Sequence, residues 1–187
     1  MSSDSRASMV RSAAALISSR GVNATSFSDV VSDSGAPRGS IYHHFPEGKK
    51  QLAQDAVRWT AERVLAYQGA GDARTSSDVL ERFIGMWRQV VVASGGSAGC
   101  VVAGVAIDTS TDADAGLFDV VRGAFRSWVS LLAAQLQAVG SPHERAVSIA
   151  TTTLAAMEGA LILCRAEGNV EPLDAVAAEL IRLLDAD

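Results

Sequence analysis

The chain has 187 residues, of which 48% are hydrophobic, and its formal net charge is −5. This length predicts one or two small domains, and the apolar content is enough for a sizeable core. No apolar run reaches the roughly 20 residues of a membrane-spanning helix, and the first residues do not resemble a signal peptide. Cys100 and Cys164 are too few for a zinc site or a disulfide framework. These features predict a soluble cytoplasmic protein without a metal or other cofactor.

The first 50 residues predict three helices. Apolar residues recur with helical spacing on the first, which ends at Gly21. Thr25 and Ser26 supply hydroxyls at the N-cap of a short second helix, and Gly35 ends it. Pro37 suits the first turn of a third helix, because its missing N–H costs nothing there. A short helix, a glycine turn and a second short helix predict a helix-turn-helix.

Helical periodicity continues through the rest of the chain, with no convincing strand-like alternation. Six further helices are predicted, at about 49–67, 75–93, 100–107, 115–139, 142–167 and 172–184. We therefore expect an all-α fold, with a three-helix N-terminal domain at 1–50 and a six-helix C-terminal domain at 51–187.

Charge is unevenly distributed between these two parts. Residues 1–50 carry six basic and four acidic side chains, a net charge of +2, which leaves −7 for the remainder. A mildly basic head on an acidic body is compatible with one end that binds a nucleic-acid duplex.

Outward-facing side chains of the third helix suit the major groove of DNA. Arg38 can read guanine with two hydrogen bonds, and His43 is a second candidate for base contact. Tyr42, Lys49 and the Thr25 hydroxyl are predicted to contact phosphates. The full set of residues predicted at the DNA interface is Thr25, Ser26, Pro37, Arg38, Gly39, Ser40, Tyr42, His43 and Lys49.

The string TSFSDVVSDSGAPRGSIYHHFPEGKKQLA at 25–53 resembles the N-terminal domain of the TetR family of repressors. The segments GCVVAGVAIDTS at 99–110, FRSWVSLL at 125–132 and MEGALILCRAEG at 157–168 are similar to the LmrA/YxaF-like branch of that family. There are departures, of which Pro37 matters most, because it stands where the family usually has Ser and removes a hydroxyl that can contact phosphate.

The resemblance implies that the C-terminal domain binds a small ligand and dimerises through its last two helices. Aromatic residues on two helices suit a pocket for a flat, largely apolar molecule, although ordinary core packing explains each of them equally well. The predicted pocket residues are Phe83, Met86, Trp87, Phe118, Arg122, Phe125, Trp128 and Glu158. Small residues on the eighth helix permit close helix approach. The predicted dimer interface comprises Thr152, Ala155, Ala156, Gly159, Leu163 and Leu180. Glu158 suits either site.

We therefore expect a ligand-responsive transcriptional regulator that binds a palindromic operator as a homodimer. Repression is the expected mode of action, with release by a small apolar or aromatic effector. Its partners are operator DNA, a small-molecule effector and a second copy of the chain. An enzyme is not expected, because no nucleophile–base pair, phosphate loop or metal-spaced cluster stands out. A helical ligand-binding or scaffold protein that has lost DNA binding is the alternative.

Overall fold

In the computed structural model, residues 2–109 and 115–184 are described, and these residues form nine helices and no strand. The helices are α1 (Ser2–Arg20), α2 (Phe27–Ser34), α3 (Ser40–His44), α4 (Lys49–Gly69), α5 (Ser76–Ala93), α6 (Val101–Asp108), α7 (Ala115–Ala138), α8 (His143–Glu167) and α9 (Glu171–Leu184). The predicted all-α fold is confirmed, and the helix bounds differ from the predicted ones by a few residues at most.

The chain divides into two compact units. The first unit comprises Met1–Arg63 and Cys100–Phe125, and the second comprises Val64–Gly99 and Arg126–Asp187. The division thus falls inside α4 and α7, and it assigns α6 to the same unit as α1, α2 and α3. The predicted boundary between a DNA-binding domain and a ligand-binding domain near residue 50 stays a prediction. The first compact unit contains more of the chain than the predicted residues 1–50.

In the first unit, α1 provides the central buried face. Met9, Ala13 and Ile17 recur at helical spacing and are almost completely buried. Arg6, near the N-terminus of α1, forms an ion pair with Asp55 of α4 at 2.6 Å. The helices of the predicted DNA-binding motif complete this core with Val30, Ile41 and Phe45. The motif is thereby held on α1 by apolar packing.

In the second unit, α5, α8 and α9 pack together, and the C-terminal part of α7 contacts α5 through Trp128. The rings of Trp87 and Trp128 meet edge to face, with centroids 6.0 Å apart. Gln68 is 1% exposed, and its amide donates to the Val79 carbonyl at 3.1 Å and to the Gln135 side chain at 2.8 Å. This buried amide pair joins the end of α4 to α5 and α7.

The longest helix, α8, has two distinct faces. Its buried side chains, from Ala146 to Cys164, recur every three or four residues. By length and composition α8 is apolar enough to cross a membrane, but 44% of its most apolar window is buried inside the protein. A helix with one covered face is typical of a helical bundle.

Candidate DNA interface

The N-terminus of α2 is closed by a capping box. The Ser26 hydroxyl accepts from the Asp29 amide at 3.2 Å, and the Asp29 carboxylate accepts from the Ser26 amide at 2.9 Å. Arg20 adds an ion pair to Asp29 at 3.0 Å. The hydrogen bonds from the side chain and backbone of Ser26, together with Arg20, lower the pKa of Asp29. The cap predicted at Thr25 and Ser26 is thus formed by Ser26.

Gly35 forms the turn after α2. Its φ of 66° and ψ of 13° lie in the left-handed region, which glycine adopts without the steric cost of a Cβ. The chain then passes through Ala36 and Pro37 before α3 begins at Ser40. Pro37 therefore precedes α3 and does not lie in its first turn as predicted. Its carbonyl instead accepts from the Ser40 amide at 2.9 Å and from the Ser40 hydroxyl at 2.7 Å.

Most of the predicted DNA-contacting side chains lie on the surface around α3. Arg38 lies in the turn before α3 and not on the helix as predicted. Arg38, Tyr42 and His43 are exposed, and Tyr42 is 68% exposed despite its size. The Tyr42 ring packs edge to face on Phe27 of α2, with centroids 5.5 Å apart. Ile41 points the opposite way, into the core. The third helix therefore presents one polar face outward while its apolar face holds it in place.

A cleft of about 570 Å³ separates the exposed faces of α2 and α3. It is lined by Phe27, Ser28, Val31, Ser32, Gly35, Ala36, Arg38, Ile41 and Tyr42. The hydroxyls of Ser28 and Ser32 were not among the predicted contacts. Both are exposed and four residues apart, so they share one face of α2, and this spacing is the signal in the sequence that could have pointed to them.

Two predicted phosphate ligands already have partners within the chain. Thr25 is 3% exposed, and its hydroxyl donates to the Gly21 carbonyl at 2.8 Å. Its side chain therefore stabilises the turn, and we leave it out of the proposed DNA contacts. The Lys49 ammonium donates to the Asn23 carbonyl at 3.1 Å. An ammonium has three N–H donors, so this bond leaves Lys49 capable of a phosphate contact.

The predicted pocket residues are divided between the two units. Phe118, Arg122 and Phe125 belong to the first unit, whereas the other five belong to the second. Phe83, Trp87 and Trp128 are buried, and the two tryptophans are in contact. Arg122 is exposed and forms an ion pair with Asp119 at 2.7 Å. Its side chain is therefore a surface group in this structure.

The predicted dimer residues lie mainly on one exposed face of α8. Thr152, Ala155, Gly159 and Leu163 are exposed at a spacing of three or four residues. Ala156 and Glu158 are half-buried at the two edges of this face. Leu180 is only 5% exposed, because its own chain covers it, and we leave it out of the proposed interface.

Two short helices, α2 and α3, are held on α1 and joined by a left-handed glycine turn, and an exposed arginine and exposed hydroxyl groups lie beside them. This arrangement defines a helix-turn-helix DNA-binding protein. Residues 10–56 match the family described as bacterial regulatory proteins, tetR family. Residues 76–179 match the family described as transcriptional regulator LmrA/YxaF-like, C-terminal domain. The chain belongs to the TetR family of bacterial transcriptional regulators. This family consists of regulators and not of enzymes, as predicted.

Similar proteins are described as HTH-type or TetR transcriptional regulators. The chain is 37% identical over 186 residues to the uncharacterised HTH-type transcriptional regulator Rv0196 of Mycobacterium tuberculosis, covering 97% of this chain and 95% of the relative. It is 28% identical to the HTH-type transcriptional regulator LmrA of Bacillus subtilis, covering 91% of each. A TetR transcriptional regulator from Legionella pneumophila has the same fold, with a TM-score of 0.85, 22% identity and 95% of each chain covered. A TetR transcriptional regulator from Chloroflexus aurantiacus has a TM-score of 0.78 and 28% identity, covering 100% of this chain and 96% of its own.

Proposed function

We propose that this TetR-family regulator is a cytoplasmic repressor that binds a palindromic operator as a homodimer and is released by a small apolar or aromatic effector. The observation that carries this proposal is the exposed surface formed by Tyr42 and His43 of α3 and by Arg38 in the preceding turn, of which Arg38 and Tyr42 line the cleft. Arg38 supplies base readout and Tyr42 a phosphate contact, because these are the interactions that their side chains favour.

The exposed face of α8 supports the homodimer. Ile162 is 60% exposed and Leu163 is 51% exposed, and both lie near small residues. A Cβ built on Gly159 meets no atom within 4 Å, so there is open space above the helix at this point. Small residues beside exposed aliphatic ones allow a second helix to approach closely and bury apolar area. A self-complementary face of this kind suits a two-fold axis.

Buried aromatic residues of the second unit support a flat apolar effector. Trp87 and Trp128 provide adjoining ring surfaces, and Phe83 is buried on the same helix as Trp87. Aromatic side chains contribute large contact areas to small-molecule sites. An effector that binds better to a conformation with the wrong spacing of α3 helices lowers DNA affinity, typically by about 1–3 kcal/mol.

Selection of bound sequences from random duplex DNA tests the proposal. We expect an inverted repeat whose half-sites are centred about 34–36 Å apart, since each α3 enters one major groove on one side of the duplex. A single unpaired half-site would contradict the homodimer, and no enrichment at any salt concentration would contradict DNA binding. The second outcome favours a helical ligand-binding protein.

A further inference from the structure

The turn between α1 and α2 is joined to the end of α6 by two hydrogen bonds. The Asn23 amide donates to a carboxylate oxygen of Asp108 at 3.3 Å, and the Asn23 side chain donates to the Asp108 carbonyl at 3.2 Å. These residues are 85 positions apart in sequence and belong to the same compact unit. The Asn23 carbonyl also accepts from the Lys49 ammonium. Asn23, which follows the end of α1, is therefore bonded to the last residue of α6 and to the first residue of α4.

A second observation shows how closely Asp108 approaches this turn. Gly21 has a φ of 81°, and a Cβ at this position would collide with the Asp108 carboxylate. One turn earlier, a Cβ on Gly104 would lie 3.6 Å from the Ile17 carbonyl of α1. The Gly104 distance is an ordinary van der Waals contact, so α6 lies directly against α1, whereas only Gly21 must be glycine for Asp108 to take this place.

The location of Asp108 is unfavourable for its charge. Asp108 is the last residue of α6, and the negative end of a helix dipole disfavours a carboxylate. Its acidic side chain also adds negative charge to the unit that carries the DNA-binding motif. Neither effect stabilises the chain or its binding to phosphates, so the contact with Asn23 is the interaction that the carboxylate provides.

We propose that Asp108 is a positioning residue for the DNA interface: it holds Asn23, and through Asn23 it sets the turn before α2 and the Lys49 ammonium. This inference rests on the proposed DNA binding. The turn leads through the buried Thr25 directly into the Ser26 cap of α2, so displacement of Asn23 is transmitted to the start of the motif.

Asp108→Ala and Asp108→Asn separate positioning from charge. Both remove one negative charge, but asparagine retains a side-chain acceptor for the Asn23 amide. Positioning predicts that Asp108→Ala binds the selected duplex about fivefold more weakly than wild type, the effect of about one hydrogen bond, and that Asp108→Asn binds within about twofold. Electrostatics alone predicts that both variants bind more tightly.

The experiment is a fluorescence anisotropy titration at several salt concentrations, below the melting temperature of every variant. Asn23→Ala removes the other hydrogen bond and is expected to weaken binding similarly, whereas the exposed Asp72→Ala, in the second unit, is expected to match wild type. If Lys49 is displaced in Asp108→Ala and Asn23→Ala, the salt slope falls by about 1 for each protomer of the dimer.

Equal affinities for wild type, Asp108→Ala and Asn23→Ala overturn the positioning role while leaving the proposed function intact. Failure of the wild-type protein to bind any duplex overturns both. If Asp108→Ala does not fold, the test rests on Asn23→Ala and Asp108→Asn. Weaker DNA binding by Asn23→Ala, with Asp108→Asn close to wild type, supports the positioning role. Wild-type binding by both variants contradicts the positioning role.

Discussion

Replacement of Arg38 by alanine tests base readout without disturbing the fold. Arg38 is exposed in the turn just before α3, and no hydrogen bond or ion pair of its side chain is found among the described residues. Its removal is therefore expected to change the free energy of unfolding by no more than about 0.5 kcal/mol. If each Arg38 reads one guanine, its loss costs about 1–3 kcal/mol per half-site, which is about 5- to 150-fold in affinity for each half-site and the square of that factor for the whole operator.

The assay is an anisotropy titration of the selected duplex and of duplexes with one base pair changed in each half-site. Arg38→Lys retains the charge but loses the two parallel hydrogen bonds, so we expect it to keep non-specific binding and lose discrimination at one base pair. Arg126→Ala, an exposed arginine of α7 in the second unit, is the control for lost charge. Wild-type affinity and base preference in Arg38→Ala would refute readout by this side chain.

Three further predictions concern the cap, the dimer and the core. Ser26→Ala removes the α2 cap and is expected to cost about 0.5–2 kcal/mol in chemical denaturation. Because Ser26 lowers the pKa of Asp29 from 3.8, wild-type stability from this carboxylate is present above about pH 4 and lost as pH falls through the lower folded pKa, and an acid titration of Ser26→Ala should show less of this loss. Gly159→Tyr is expected to give a folded monomer by sedimentation, whereas Gly123→Tyr, at another helical glycine with open space above it, should leave the dimer intact. Gln68→Ala removes two hydrogen bonds of a buried amide, to the Val79 carbonyl and to the Gln135 side chain, and should destabilise the protein by about 1–3 kcal/mol in urea denaturation.

Each of these predictions has a contradicting result. A free energy of unfolding for Ser26→Ala equal to that of wild type would show that the capping box does not stabilise the folded state. An unchanged acid transition would show that the bond between the Ser26 hydroxyl and the Asp29 carboxylate does not. Dimeric Gly159→Tyr would exclude the exposed face of α8 as the interface. A loss for Gln68→Ala no larger than that for the exposed Gln89→Ala would show that the buried amide pair contributes little.

The local features of the fold were predictable because they depend on neighbouring residues. Gly35 determines the conformation of its own turn, and the Ser26 hydroxyl bonds to a residue three positions later. A left-handed turn and an N-cap can therefore be predicted from the sequence. The same holds for the alternation of buried and exposed positions on α8, because its period is that of a helix.

Contacts between distant segments were not predictable from these patterns. Asn23 and Asp108 are 85 positions apart, and neither residue type marks a partner at that distance. Thr25 has a good residue type for phosphate contact, but its burial depends on how the turn packs in the folded unit. Leu180 fits an apolar interface by type, yet the same property places it in the core of its own chain.

The salt dependence of binding to the selected duplex is the most direct test of the central claim that this chain binds an operator as a homodimer. Mobility-shift titrations from about 50 to 200 mM salt should show two protomers per duplex and a steep loss of affinity, because several phosphates are neutralised by the pair of motifs. At every salt concentration in this range, the affinity for the inverted repeat is predicted to exceed the affinity for a scrambled duplex. No shift of either duplex at any salt concentration would contradict the claim.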